Sequence, residues 1–164
     1  MGKGSLTFDW NESPLKTKCQ ELVGSALESM SESVESAERY LTHNEPKYRM
    51  VACYVLLYYW KASPSSFLAK WCEAAIDDEP DQDVRSCALS ALGEIYSGRA
   101  DARIGQIIAA TVHDESQNQR IRFAAYRALF RLRDRVFLMG REQLEMLKTS
   151  SLQNADWGFV DSFL

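Results

Sequence analysis

The chain repeats a short pattern every 34 to 36 residues, and this repeat constrains its fold more than any other feature. Three polar loops of similar sequence begin at His43, Asp77 and His113. Each loop is followed by an apolar residue and an arginine, then by an alanine three residues later and a leucine four residues after that. These positions are Tyr48-Arg49, Ala52 and Leu56; Val84-Arg85, Ala88 and Leu92; and Ile121-Arg122, Ala125 and Leu129. Steps of three and four place the apolar members on one face of a helix.

A second amphipathic helix is predicted within each period. The apolar residues of Leu68–Ile76 align with those of Ile104–Val112 at a constant offset of 36. Ser63-Pro64 is a suitable start for the earlier helix and Asp101 a suitable N-terminal cap for the later one. Ser97-Gly98 is typical of a helix end. The repeating unit is therefore helix, turn, helix and acidic loop.

The two ends of the chain follow this plan more loosely. An apolar stripe begins after Ser13-Pro14 and predicts either one long helix or a pair broken near Ser31–Ser33. Since no strand-like alternation of useful length occurs, the sequence predicts an all-α fold in a single domain over residues 1–164. The predicted repeats cover residues 14–45, 46–79, 80–115 and 116–150, and residues 151–164 form a C-terminal cap.

Two of the periods resemble the HEAT-repeat family, including HEAT-like repeats of the bilin-lyase type. The resemblance rests on Asp83-Val84-Arg85 with Ala88, Ala91-Leu92-Gly93 and Ile95, and on Ile121-Arg122 with Ala124, Ala125, Ala128 and Leu129. It covers the region from Pro46 to Leu132. It implies a short right-handed α-solenoid of about four antiparallel helix pairs. Such proteins commonly hold a protein or peptide on the inner surface built by their second helices, here Leu68–Ile76, Ile104–Val112 and Gln143–Leu147.

The repeated arginine lies just inside a predicted helix start, next to acidic loop residues such as Glu45 and Asp83. We expect it to form ion pairs that join each loop to the following helix. A clamp for a phosphate or carboxylate ligand is the alternative.

The sequence contains no recognisable catalytic or metal-binding motif. Its two histidines, His43 and His113, occupy equivalent positions two repeats apart, too far to share a metal ion. The acidic run from Asp77 to Asp83 lacks the glycine and the terminal carboxylate of a calcium loop. We therefore expect no enzyme activity, no metal and no cofactor. The four cysteines, at positions 19, 53, 72 and 87, are expected to be buried thiols.

One predicted surface has the composition of a binding site. Seven arginines and a single acid lie between Arg120 and Arg141. On the helix that begins there, aromatic residues oppose the core face and arginines flank them, a combination typical of interface hot spots. The candidate partner-binding residues are Arg122, Phe123, Tyr126, Arg127, Phe130, Arg131 and Arg133. The alternative is that the apolar tail around Trp157 and Phe159 covers these rings, because a terminal repeat must hide its outer face.

These observations together predict a cytoplasmic, non-catalytic module that binds a protein partner, either as a scaffold or as a stand-alone inhibitor of the immunity type. The net charge of −4 argues against nucleic acid as the partner. The longest apolar run, Met50–Trp60, is too short to cross a membrane. The alternative is a HEAT-like enzyme or enzyme accessory, similar to DNA glycosylases or bilin lyases.

Overall fold

Every regular element in the described part of the computed structural model, residues 8–133, 146 and 148–164, is a helix. The all-α prediction is therefore confirmed for these residues. They fall into two compact units, Met1–Ala62 and Ser63–Leu164. The predicted second repeat, residues 46–79, has its first helix in one unit and its second helix in the other.

The first unit begins with a 3-10 turn and ends with a π-helical turn. Its elements are the 3-10 turn Trp10–Glu12, α1 (Pro14–Val23), α2 (Ala26–Glu32), α3 (Val34–Tyr40), α4 (Pro46–Tyr54) and the π turn Val55–Tyr59. The π turn continues α4, and the Trp60 N–H donates to the Val55 carbonyl at 3.0 Å. The Trp60 indole N–H donates to the Met30 carbonyl at 3.1 Å, which ties this turn to the end of α2.

Local capping explains where the helices of the first unit break. The Ser13 hydroxyl accepts from the Leu15 N–H at the start of α1, which begins at Pro14, where the sequence places the start of the apolar stripe. Ser33 caps α3 in the same way, so of the two alternatives the structure has the break near Ser31–Ser33 and not one long helix. A second break follows α1, because Gly24 adopts a φ of 56° that other residues rarely allow. The N-terminal region is therefore three short helices instead of a pair.

The described part of the second unit contains five helices. The predicted start is confirmed for one of them and wrong for another. They are α5 (Phe67–Asp78), α6 (Gln82–Ile95), α7 (Ala102–His113), α8 (Gln119–Leu132) and α9 (Trp157–Asp161). The predicted cap at Asp101 is confirmed, since its carboxylate accepts from the Ile104 N–H at 2.9 Å. The predicted start of α5 at Ser63-Pro64 is wrong. The Ser66 hydroxyl caps this helix instead, and Ser63-Pro64 form the turn before it.

Helices α6 and α8 approach each other closely because a glycine and an alanine meet at their contact. Gly93 and Ala128 are both buried. A Cβ placed on Gly93 would lie 3.0 Å from the Cα and 3.1 Å from the carbonyl oxygen of Ala128. Small residues at this point are therefore required for the spacing of the two helices.

We expect Gly93→Ala to lower the free energy of unfolding by about 1–3 kcal/mol, because the added methyl group forces the α8 backbone away. Urea denaturation measures this change. Gly158→Ala is the matched control, since its Cβ would meet nothing closer than 3.5 Å. That substitution is expected to be neutral or stabilising. Equal stability of the Gly93→Ala and wild-type proteins would contradict the close approach of α6 and α8.

Candidate functional site

The aromatic part of the predicted partner-binding surface lies inside the second unit. Phe123 and Tyr126 expose only 5% and 3% of their surface. The Tyr126 hydroxyl accepts a 3.0 Å hydrogen bond from the backbone N–H of Asp156. The ring centroids of Phe130 and Phe159 are 4.5 Å apart. The C-terminal tail thus packs against Tyr126 and Phe130. For these two rings, this is the covered alternative that the sequence leaves open.

Further contacts of the tail fix it against α7 and α8. The Arg133 guanidinium lies 4.5 Å from the centre of the Phe163 ring. A Cβ placed on Gly105 would lie 2.6 Å from the same ring, so the glycine in α7 makes room for it. The His113 Nε2 and Asp161 Oδ1 atoms are 2.8 Å apart. The tail is therefore part of the packed unit on this side of the molecule.

Several arginines of α8 bind other parts of the second unit. Arg120 pairs with Asp83 at 2.7 Å, Arg131 pairs with Glu94 at 3.2 Å, and Arg133 donates to the Ser162 carbonyl at 3.5 Å. The pKa of Arg127 is lowered by partial desolvation and by the nearby charge of Arg131. Arg135 and Arg141, which belong to the same arginine-rich stretch, lie outside the described residues. The partner-binding role of Arg122, Arg127, Arg131 and Arg133 stays a prediction.

The repeated arginine ties each helix start to the segment before it, but its partners differ from the expected carboxylates. Hydrogen bonds run from Arg49 to the His43 carbonyl at 2.6 Å, from Arg85 to the Glu79 carbonyl at 2.7 and 3.0 Å, and from Arg122 to the Val112 carbonyl at 2.7 Å. In the described ranges, Arg85 and Arg122 therefore bind carbonyl oxygens where carboxylates were predicted. The charge of Arg122 nevertheless contributes to the lowered pKa of Asp114 in the preceding loop. A positive charge is favourable there because carbonyl dipoles converge at the end of a helix.

The second helices α5 and α7 enclose a pocket at their C-terminal ends. The two helices are joined by an ion pair of residues that do not line the pocket. Arg103 on α7 donates to both carboxylate oxygens of Glu73 on α5, with N···O distances of 2.6 and 2.9 Å. The pocket has a volume of about 280 Å³ and contains both apolar and acidic side chains. Its lining residues are Ile76, Asp77, Ile107, Ala110, Thr111, Asp114 and Gln117.

The Asp114 carboxylate at the rim of this pocket is held in place and kept ionised. It accepts hydrogen bonds from the Ser116 hydroxyl at 2.6 Å and from the Gln117 side-chain amide at 3.0 Å. The side-chain oxygen of Gln117 in turn accepts a hydrogen bond from the Arg85 guanidinium at 2.8 Å. The bonds from Ser116 and Gln117 lower the pKa of Asp114 below its usual value. Asp114 thus presents a negative charge whose position is set by these hydrogen bonds.

The other carboxylate of the pocket, Asp77, is exposed. Across residues 8–133, 146 and 148–164, no described hydrogen bond or ion pair occupies its oxygens. Ile76, Ile107 and Ala110 supply an apolar wall, and the Thr111 hydroxyl donates to the Ile107 carbonyl. The pocket therefore combines an apolar wall with two negative charges at its rim.

A second pocket, of about 440 Å³, lies in the first unit. It is lined by Trp10, Asn11, Lys16, Gln20, Leu27, Glu28, Ser31, Glu32 and Tyr59. Its charges are of both signs, and the Lys16 ammonium already binds the Asn11 side-chain oxygen at 3.1 Å. This pocket consequently offers no single chemical preference for a ligand.

The residues most often used in catalysis have structural contacts here. His43 accepts the Glu45 N–H through Nδ1 at 3.1 Å, and its ring centroid lies 4.2 Å from that of Tyr48. All four cysteines are buried thiols, as predicted. Within the described ranges, no group of three or more His, Cys, Asp or Glu side chains is placed to hold a metal ion.

Comparisons of the chain with protein-family models, with curated proteins and with solved structures find no match. The resemblance to HEAT repeats therefore depends on the residues quoted for it. None of the helices in the described ranges has both the length and the apolar character that crossing a membrane requires.

Sequence reasoning selects the second helices as a binding face but misses the residues at the pocket rim. Asp77 and Asp114 look like solvated loop residues in the sequence, because both belong to the repeated acidic loops. The sequence feature that could have identified them is their position in the repeat. Asp77 directly follows the apolar stripe of α5, and Asp114 follows that of α7 one residue later in the repeat. Equivalent helix ends in neighbouring repeats are expected to lie on the same edge.

Proposed function

We propose that the chain is a short α-solenoid of HEAT-like helix pairs that binds a protein partner through the face formed by its second helices, without catalysis. The observation that carries this proposal is the pocket between the ends of α5 and α7. It lies on the face that the resemblance assigns to partner binding, whereas the aromatic surface of α8 is covered by the tail.

The solenoid form of the proposal is supported by a contact that recurs along the chain. Arg49, Arg85 and Arg122 occupy the same position of the repeat, and each donates to backbone carbonyls of the segment before its helix. Within the second unit, α6 packs against both α5 and α8, and α8 packs against α7. Repeated units that contact their neighbours in sequence are typical of solenoids.

The size of the pocket favours a protein partner over a small molecule. Pockets that bury a drug-sized ligand have volumes of about 300–1,000 Å³. The pocket at α5 and α7 is slightly smaller, at about 280 Å³, and suits one side chain. An inhibitor of the immunity type is one form of such a module.

The proposal is tested by affinity capture with a blocked pocket. The tagged chain is incubated with a lysate of the source organism, and bound proteins are quantified by mass spectrometry. Ala110→Arg fills the pocket with a long side chain. We expect the proteins retained by the wild type to be reduced at least tenfold by this variant, because steric exclusion removes the central contact.

Gln153→Arg is the matched control, since it adds the same side chain at an exposed tail position outside the pocket. It is expected to retain the same proteins as the wild type. Equal capture by all three proteins, or no specific capture by the wild type, would contradict binding through this face. Circular dichroism melting checks that both variants remain folded.

A further inference from the structure

The pocket at the ends of α5 and α7 has the two features needed to hold a long basic side chain. The methylene stem of lysine or arginine is apolar and packs well against apolar surface, while the charged end prefers carboxylates and water. Here Ile76, Ile107 and Ala110 provide the apolar wall, and Asp77 and Asp114 provide the carboxylates.

We propose that this pocket binds a lysine or arginine side chain of a protein partner. The inference rests on the proposed function and adds the chemistry of the partner, a basic segment that inserts one side chain between Asp77 and Asp114.

The charges around the pocket support a basic partner and disfavour an acidic one. Asp78 and Glu115, the chain neighbours of the two rim carboxylates, are also acidic and exposed, so both segments that supply the rim are rich in negative charge. The guanidinium groups near the pocket have partners of their own. Arg85 binds the pocket residue Gln117 and the Glu79 carbonyl. Arg122, whose charge contributes to the lowered pKa of Asp114, donates to the Val112 carbonyl.

The hydrogen bonds of Asp114 determine where in the pocket the charged end of a basic side chain would bind. Its Oδ1 and Oδ2 atoms accept from Ser116 and Gln117, and Gln117 is itself held by Arg85. Oδ1 accepts from both the backbone N–H and the hydroxyl of Ser116. Oδ2 accepts from the Gln117 amide and has a further lone pair for a donor from the partner. Because the carboxylate is already ordered, a bound ammonium or guanidinium group loses less free energy to side-chain ordering than at a mobile surface acid.

The experiment uses single amino-acid probes and the full chain labelled with ¹⁵N. N-acetyl-lysine-N-methylamide and N-acetyl-arginine-N-methylamide are titrated into the protein, and amide chemical shifts are recorded. We expect saturable shifts at Asp77, Thr111, Asp114 and Gln117. The norleucine analogue keeps most of the apolar stem without the charge and is expected to bind about two- to fivefold more weakly for each carboxylate it fails to contact. Affinity for the basic probes should fall as salt is raised.

Asp77→Asn removes one rim charge, and Asp78→Asn is the matched control, because it removes the same charge one residue away from the pocket lining. We expect the first to weaken binding of the lysine probe by about two- to fivefold and the second to have a smaller effect. Equal effects of the two variants would show diffuse attraction to an acidic surface and overturn the inference. So would equal binding of the norleucine probe or the absence of saturable shifts.

These outcomes are separable from failure of the proposed function. If Ala110→Arg abolishes capture of a protein while the basic probes show no saturable binding, the face binds a partner of different chemistry. If the basic probes bind and Ala110→Arg leaves capture unchanged, the proposed binding face is wrong, and the basic-side-chain inference fails with it.

Discussion

Leu129→Ala is expected to lower the free energy of unfolding by about 2–5 kcal/mol. Leu129 is fully buried, with 0% of its surface exposed, on the face of α8 that the repeat pattern assigns to the core. This helix packs against α6 and α7, so a truncated side chain leaves a cavity that the surrounding helices fill only in part. Urea denaturation followed by circular dichroism measures the change.

Leu164→Ala is the matched control for Leu129→Ala, because the same side chain is 64% exposed at that position. Its effect is expected to stay within about 0.5 kcal/mol of the wild type. If Leu129→Ala also changes stability by less than this amount, the core face assigned to α8 is wrong. The repeat register that places Leu56, Leu92 and Leu129 at equivalent positions would then be wrong as well.

The core faces of the helices could be predicted from the sequence because they follow from periodicity alone. Apolar residues three and four positions apart must share a helical face, whatever the neighbouring helix is. Leu92 and Leu129 are fully buried, and Ala88 and Ala125 are buried beside them. Local capping at Ser13 and Asp101 was equally predictable, because the side-chain oxygen and the backbone N–H that donates to it belong to residues only two or three positions apart.

The features that could not be predicted depend on contacts between distant segments. Helix α8 has two apolar faces, and its sequence alone does not say what covers the second one. The C-terminal tail covers part of it, and the Asp156 N–H of the tail donates to the Tyr126 hydroxyl 30 residues earlier in the chain. The pocket is similar, because α5, α7 and the loop after α7 each supply part of its lining. The break at Gly24 was missed for a different reason, since a glycine inside an apolar stripe does not always end a helix.

The covering of α8 by the tail leads to the second large effect, which is expected for Phe159→Ala. Phe159 exposes 8% of its surface, and its ring centroid lies 4.5 Å from that of Phe130 and 5.3 Å from that of Phe163. It therefore lies at the centre of the aromatic contact between the tail and α8. Removing a buried phenylalanine ring costs about 3–5 kcal/mol of stability. We expect a loss of this size in urea denaturation of the full chain.

Hydrogen exchange of the Asp156 amide tests whether this loss comes from the tail. In the wild type this N–H is bound to the Tyr126 hydroxyl, so its exchange reports opening of the tail contact. Phe159→Ala should accelerate it, while Phe67→Ala, which truncates a phenylalanine that is 48% exposed, should leave it unchanged. If Phe159→Ala left stability and exchange unchanged, the tail would not be a structural cap. The rings of Tyr126 and Phe130 would then be accessible to a partner, and the open form of the α8 surface would replace the α5 and α7 pocket as the better binding site.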